Sequence, residues 1–414
     1  MKNNRTFLEK LLDGSEVEWR TIAEISNKVS SGGTPATSNN SYYENGNIPW
    51  LRTQEVDFKE IWDTDIKITE EGLNNSSAKW IPENCVIIAM YGATVGKIAI
   101  NKIPLTTNQA CANIEVNSEI AHYRYVFHYL MSQYEYIKSL GSGSQTNINA
   151  QIVKKIKIPI PPLSVQTEIV KILDALTALT SELTSELTSE LTLRRKQYEY
   201  YREKLLSVDN LKLSTENIQW VKLNDLGELI RGNGLQKKDF TETGVPAIHY
   251  GQIYTYYGTF ATKTKSFVSP ELAKKLKKVD CGDVVITNTS ENFEDVGKAM
   301  VYLGKEQAVT GGHATIFKPN HEKILSKYFV YLTQTSFFTN EKRKYAKGTK
   351  VIDVSATDMA KIILPIPPLK EQQRIVSILD KFETLSNSIT EGLPLSIEQS
   401  QKRYEYYREL LLSF

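Results

Sequence analysis

Two groups of polar side chains, one in each half of the chain, are of the types that read base edges. In the first half Arg52, Thr53 and Gln54 follow Trp50, Asn108 and Gln109 sit in a polar turn, and Gln145, Thr146 and Asn147 stand in a Gly-Ser loop. In the second half His249, Tyr250, Asn288, Thr289, His313 and Lys350 hold similar places. Arginine, asparagine, glutamine and hydroxyl groups make the hydrogen bonds that distinguish base pairs in the major groove of DNA. Gly33, Thr34, Tyr91, Thr94 and Ser144, with Arg231, Lys347 and Thr349, lie in the same loops and complete the candidate set. Two basic clusters, Lys274, Lys275, Lys277, Lys278 and Lys342, Arg343, Lys344, Lys347, carry charge suited to phosphates. For any one of these residues the competing reading is a solvated polar surface.

Other chemistry is not written here. Gly92 to Lys97 (GATVGK) is one residue short of a phosphate-binding loop and is followed by Ile98 instead of Ser or Thr. Arg231 to Gly234 (RGNG) lacks the strand–helix setting of a dinucleotide fingerprint. The five histidines show no metal-ligand spacing, and no nucleophilic triad or carboxylate pair can be inferred. An Asn/Asp-Pro-Pro-aromatic methyltransferase motif is also missing. Cys85, Cys111 and Cys281 form no CxxC pair, which argues against a disulfide framework or a thiolate zinc site. With a net charge of +2, the chain does not coat nucleic acid by bulk charge, so local patches must do the work. No signal core or membrane-length apolar run is present, and a reducing cytoplasm is the expected location.

The elements that position these loops are written twice. Ile158 to Asp174 (IPIPPLSVQTEIVKILD) recurs as Leu364 to Asp380 (LPIPPLKEQQRIVSILD), and Lys196 to Ser207 (KQYEYYREKLLS) recurs as Lys402 to Ser413 (KRYEYYRELLLS), both at an offset of 206 residues. Equal length through a divergent middle predicts a ruler. The Pro-Pro pairs at 161–162 and 367–368 give a stiff entry to each copy. Apolar residues then recur at helical steps: Ile169, Leu173, Leu176, Leu179, Leu183, Leu187 and Leu191, and Ile375, Leu379, Phe382, Leu385 and Ile389. The first rod would be roughly 65 Å long at 1.5 Å per residue. A single stripe on so long a rod needs a partner, and antiparallel packing of the two copies supplies it. Phe7 to Leu12 (FLEKLL), which resembles Tyr201 to Leu206 (YREKLL), would close the circuit.

Between the rods, 17–157 predicts an α+β domain. The loop SSGGTP precedes the strand NIPWLRT; CVIIAMY is a buried strand, YGATVGKIAI a turn and strand, and 123–137 a helix. The outline repeats with little identity. GVPAIHY falls where NIPWLRT fell, DVVIT where CVIIA fell, Val296-Gly297-Lys298 where Val95-Gly96-Lys97 fell, and TGGHATI where Thr107 to Asn113 fell. One scaffold with two sets of loop residues suits two different targets.

These segments together resemble a type I restriction–modification specificity subunit. The carriers are SGGTP…NIPWLRT, YGATVGKIA, TNQACAN, GSGSQTNIN and the repeated IPPLxxQ helix start, and they span nearly all 414 residues. The resemblance implies an α+β protein in which two target recognition domains alternate with two long helices packed as an antiparallel coiled coil. The expected segments are 1–16 (N-terminal helix), 17–157 (first recognition domain), 158–210 (first spacer helix), 211–363 (second recognition domain) and 364–414 (second spacer helix). It further implies no catalysis by this chain, and binding to double-stranded DNA, two methyltransferase subunits and restriction subunits. S-adenosylmethionine, ATP and Mg would then sit on those partners. Gln166, Tyr198, Tyr201, Gln372, Tyr404 and Tyr407 are the expected partner contacts, although the Tyr-rich helix ends, which include Tyr200 and Tyr406, suit stapling the helices equally well. The rival reading is a coiled-coil adaptor with two protein-binding domains, which gives no reason for polar loops. One departure stands out: Gly392-Leu393-Pro394 should break the second helix.

Overall fold

The computed structural model describes residues 7–141, 147–214, 217–387 and 392–414. Two compact units emerge, one of residues 1–184 with 399–414 and the other of residues 185–398. In the first, Val86–Ala89 is buried throughout and forms the centre of a five-stranded sheet ordered Ser26–Ser31, Cys111–Val116, Val86–Ala89, Ile98–Asn101, Glu60–Ile61. A smaller sheet runs Lys67–Ile68, Ile48–Leu51, Leu105–Thr107, Trp80–Ile81. In the second unit the order is Gly227–Arg231, Ala314–Pro319, Val284–Thr287, Ala299–Tyr302, Phe260–Ala261, again with a second sheet built around Val245–Ile248 and Ala308–Thr310.

The two units are matched register by register. Leu51 pairs in parallel with Thr107 as Ile248 does with Thr310. Gly96 donates to Ala89 O at 2.8 Å, and Gly297 to Thr287 O at 2.8 Å. Each unit also has a two-stranded ribbon leading into a long helix: Trp19 lies opposite Pro159, and Trp220 opposite Pro365. The duplication predicted from outline alone is therefore present in hydrogen-bond detail.

Leu163–Leu206 is one 44-residue helix, and the second copy is two helices, Leu369–Asn387 and Leu393–Leu412. Their direction follows from which ends share a core. Val165, Ile169 and Leu173, at the start of the first helix, are buried with Leu411 and Leu412 at the end of the chain. Tyr198 and Leu206, near its end, are buried with Ile375, Val376 and Leu379. Thr177 Oγ1 donates to Tyr404 Oη at 3.2 Å, while the Tyr201 ring stacks on Phe382 with centroids 5.4 Å apart. Numbers rise on one helix as they fall on the other, so the packing is antiparallel. Leu8 is buried beside Leu411 and Leu412, and brings Phe7–Leu12 into the same core.

The apolar stripe does not stay buried along its length. Leu179 is 61% exposed and Leu183 38%. A leucine every fourth residue turns about 40° per repeat, because each residue advances roughly 100°, so the TSEL repeat winds its leucines off the face that packs. The expected break is present. Gly392 has φ +88°, and the next helix starts at Leu393 with Pro394 in its first turn. Ile389, placed in the stripe from sequence, lies outside the described residues.

Each unit is fixed to its helix by the same two positions of the repeat. Gln166 and Gln372 are fully buried. Gln166 accepts from His122 N (2.8 Å) and donates to Pro161 O and Ile120 O; Gln372 accepts from Leu325 N (2.8 Å) and donates to Pro367 O and Lys323 O. With their amides satisfied inside the chain, neither is the partner contact expected of it. Eight residues further on, Asp174 receives Arg124 Nε at 2.7 Å, Arg124 Nη2 at 2.8 Å and His128 Nε2 at 2.8 Å. Its counterpart Asp380 receives Lys327 Nζ at 2.7 Å and lies 2.6 Å from the Tyr331 hydroxyl.

Candidate nucleic-acid interface

In the first unit the polar loops converge because backbone contacts tie them together. The glycines of SGGTP are there for space. A Cβ on Gly32 would lie 1.8 Å from Thr107 O, and one on Gly33 2.3 Å from Ser77 Oγ. Gly33 N donates to Thr107 O at 2.9 Å, and the buried Trp50 indole donates to Gly33 O at 2.9 Å. This brings Thr34 within hydrogen-bonding distance of Gln109. Asn108 N donates to Leu51 O (2.9 Å), and Thr94 Oγ1 to Thr53 O (2.7 Å). Arg52, Thr53, Gln54, Asn108, Gln109, Thr34 and Thr94 are thus carried by loops bonded to one another, with Gln54, Gln109 and Tyr91 exposed. The Arg52 guanidinium is braced by Glu55 Oε1 at 3.3 Å and Asp65 Oδ2 at 3.8 Å. Ile148 N bonds Met90 O at 3.0 Å, which leads the Gly-Ser loop back to this place. Asn147 is half-buried; Ser144, Gln145 and Thr146 lie outside the described residues.

The second unit uses the same frame for different chemistry. His249 caps its short helix as Arg52 heads its turn, each backbone N–H donating to the side chain three residues on. Asn288 N bonds His313 O at 2.8 Å where Met90 N bonds Ala110 O at 2.8 Å. So His249 stands in place of Arg52, His313 in place of Ala110 and Asn288 in place of Met90. The Tyr250 ring lies 4.5 Å from the His249 ring and 4.9 Å from that of His313. Burial, with the neighbouring His313 and Lys237, holds the His249 pKa below its ordinary value, which favours neutral imidazole, a donor at one nitrogen and an acceptor at the other. Arg231 reaches Gly312 O at 3.2 Å and lies 3.8 Å from Asp353. Thr349 and Lys350 are exposed.

Several expected readers are placed elsewhere. Asn288 is fully buried, its Oδ1 accepting from Thr315 Oγ1 at 2.7 Å, and Thr289 is 8% exposed with its hydroxyl 2.9 Å from His313 Nδ1. They form the wall behind His313. Gly33 is buried and acts by having no side chain. The Lys347 ammonium is engaged by Asp358 at 2.9 Å. Lys342, grouped with the phosphate-suited cations, is buried; its ammonium donates to Val296 O at 2.6 Å, and burial lowers its pKa to about 8. Charge runs in sequence do not separate a lysine packed against Phe293, 4.9 Å from its ring, from one in water. Tyr198 and Tyr404 are each 7% exposed and staple helices, and Tyr201 is stacked on Phe382, whereas Tyr407 remains 41% exposed. The joint residues Arg124, His128, Lys327 and Tyr331 were not singled out from sequence, although the repeated Asp174 and Asp380 were the signal for them.

Two α+β units with matched frames, divergent polar loops and an antiparallel helix pair define a bipartite recognition protein. Comparison identifies the class. Residues 14–193 and 215–399 match the type I restriction modification DNA specificity domain, and the chain belongs to that family. It is 40% identical over its whole length to a Haemophilus influenzae chain named as a type I restriction enzyme specificity subunit, all of which is covered. It is 31% identical to the Escherichia coli EcoR124I/EcoR124II specificity subunit, covering 99% of this chain and 97% of that one. Among solved structures, a chain from a study of complex assembly and conformational transition of the type I R-M system superposes with a TM-score of 0.69 at 19% identity, covering 95% of this chain and 97% of that one. The HsdS subunit of Thermoanaerobacter tengcongensis gives a TM-score of 0.55 at 17% identity, covering 96% and 95%. The protein is a type I specificity subunit, the DNA target-recognition component of such systems. Among the described residues, no helix is long and apolar enough to cross a membrane.

Proposed function

We propose that this chain reads a bipartite, asymmetric DNA target, one half-site through residues 17–157 and the other through 211–363, and scaffolds two methyltransferase subunits and the restriction subunits. The observation that carries it is the matched frame with exchanged readers: Arg52 against His249, Ala110 against His313. A guanidinium fork suits guanine O6 and N7, whereas an imidazole offers a single donor and acceptor, so the two half-sites differ. Segments 1–16, 158–210 and 364–414 form the spacer. This chain has no catalytic role in the reading; S-adenosylmethionine, ATP and Mg belong to its partners, and the complex works in the cytoplasm. The polar loops and exposed readers favour this over a protein-binding adaptor.

Mapping methylated sites in cells that express the chain with its methyltransferase tests the proposal. Two unlike short words separated by unread bases are expected. Exchange of residues 17–157 for another subunit's first domain should replace one word and leave the other. A single continuous word, or a swap that changes both, would refute it.

A further inference from the structure

The internal repeat allows the two copies to be compared position by position, and most of their identities are explained by packing. Tyr198 and Tyr404, with Leu206 and Leu412, are buried. Arg202 and Arg408 lie over the Tyr198 and Tyr404 rings at 5.2 and 5.5 Å. Glu203 receives Ser336 N at 2.8 Å and Ser336 Oγ at 2.9 Å. Where no packing or bonding constrains the helix surface the copies diverge, as at Gln197 and Arg403, or Lys204 and Leu410.

Three identical pairs remain without such a reason: Lys196 and Lys402, Glu199 and Glu405, Tyr200 and Tyr406. In each copy they fall at positions i, i+3 and i+4, which share one helix face. Tyr200 is 58% exposed and Tyr406 61%. Each makes the same edge-to-face pair with the tyrosine after it, at 5.4 Å and 71° in one copy and 5.4 Å and 65° in the other. An exposed aromatic kept twice, in one geometry and with the same charged neighbours, answers to something outside the chain. Tyrosine at the centre of a charged rim is the residue type that anchors protein interfaces.

We infer that Tyr200 and Tyr406 are the anchors of two equivalent docking stripes, each taking one copy of the same protein chain. The inference rests on the reading of this chain as a subunit that assembles with two identical methyltransferase subunits, and it names the surface each occupies. Nucleic acid is a poor occupant, since Glu199 and Glu203 flank one tyrosine, and Glu405 and Glu409 the other, and carboxylates repel phosphate. The complementary surface is an apolar slot for the phenol ring with a cation to meet the glutamate and an anion to meet the lysine.

The full chain, co-expressed with its methyltransferase subunit, would be weighed by native mass spectrometry. Two methyltransferase subunits per wild-type chain are expected, one for Tyr200→Ala or Tyr406→Ala, and none for the double variant at concentrations that saturate the wild type. Loss of an interface anchor weakens each contact roughly 10–100-fold. Tyr200→Phe and Tyr406→Phe should keep most of the binding, and the unfolding midpoint of the free chain should be unchanged in all variants. Should an alanine variant fold poorly, Glu199→Lys with Glu405→Lys tests the same surface by charge. A double variant that still holds two subunits overturns the stripes and leaves the functional reading intact. A wild-type chain that binds no methyltransferase overturns that reading, and this inference with it. Loss of binding to a 30-base-pair duplex by the tyrosine variants alone would identify DNA as the occupant and refute a protein partner.

Discussion

Replacing Asp174 by Asn tests how the first unit is fixed to its helix. The carboxylate is about one-third exposed; burial works against its ionisation, but hydrogen bonds from His128 and Arg124 and the Arg124 charge outweigh that, and its pKa falls from an ordinary 3.8 to about 2. At about 1.4 kcal/mol per pH unit the displacement sets an upper bound of roughly 2.5 kcal/mol. Partial exposure screens the pair, so a loss of about 1–2 kcal/mol is expected at pH 7. Arg124 keeps Glu60 as a partner, which also limits the cost. For a unit of this size that corresponds to about 2–8 °C in melting temperature. A depressed carboxyl stabilises the fold fully above its unfolded pKa, and loses that contribution as pH falls from about 4 through about 2. Chemical denaturation of wild type and Asp174→Asn should therefore differ at pH 7 and converge near pH 2. Equal midpoints at pH 7, or a gap that persists at pH 2, would show that the ion pair does not hold the joint.

The helix supports a ruler prediction. Adding or deleting one TSEL between Thr180 and Leu191 advances the helix about 6 Å and turns it about 40°, against about 3.4 Å and 35° per base pair. The gap between half-sites should change by one base pair, or two at most, with both words retained; variants with two and four copies mapped for methylation check this, and an unchanged gap removes the ruler. Gly392→Ala should destabilise the second spacer by about 1–2 kcal/mol, since φ is +88° and a Cβ would lie 2.6 Å from Leu385 O, with urea midpoints as the measure.

What could be read from the residues was whatever repeats or is local. The doubled IPPLxxQ and YEYYRE segments reveal two helices and a pseudo-two-fold plan, because equal spacing survives without knowledge of contacts. The break at Gly392-Leu393-Pro394 follows from backbone sterics alone. Tertiary structure decided which polar groups face solvent. Lys342 and Asn288 look like readers in sequence and are buried, while Tyr200 and Tyr406 differ from Tyr198 and Tyr404 only in the face they occupy. It also turned Gln166 and Asp174 from repeat markers into joints, since their partners His122, Arg124 and His128 lie more than 40 residues away. Burial and partnership depend on chain segments brought together from such distances, and no local spacing encodes them.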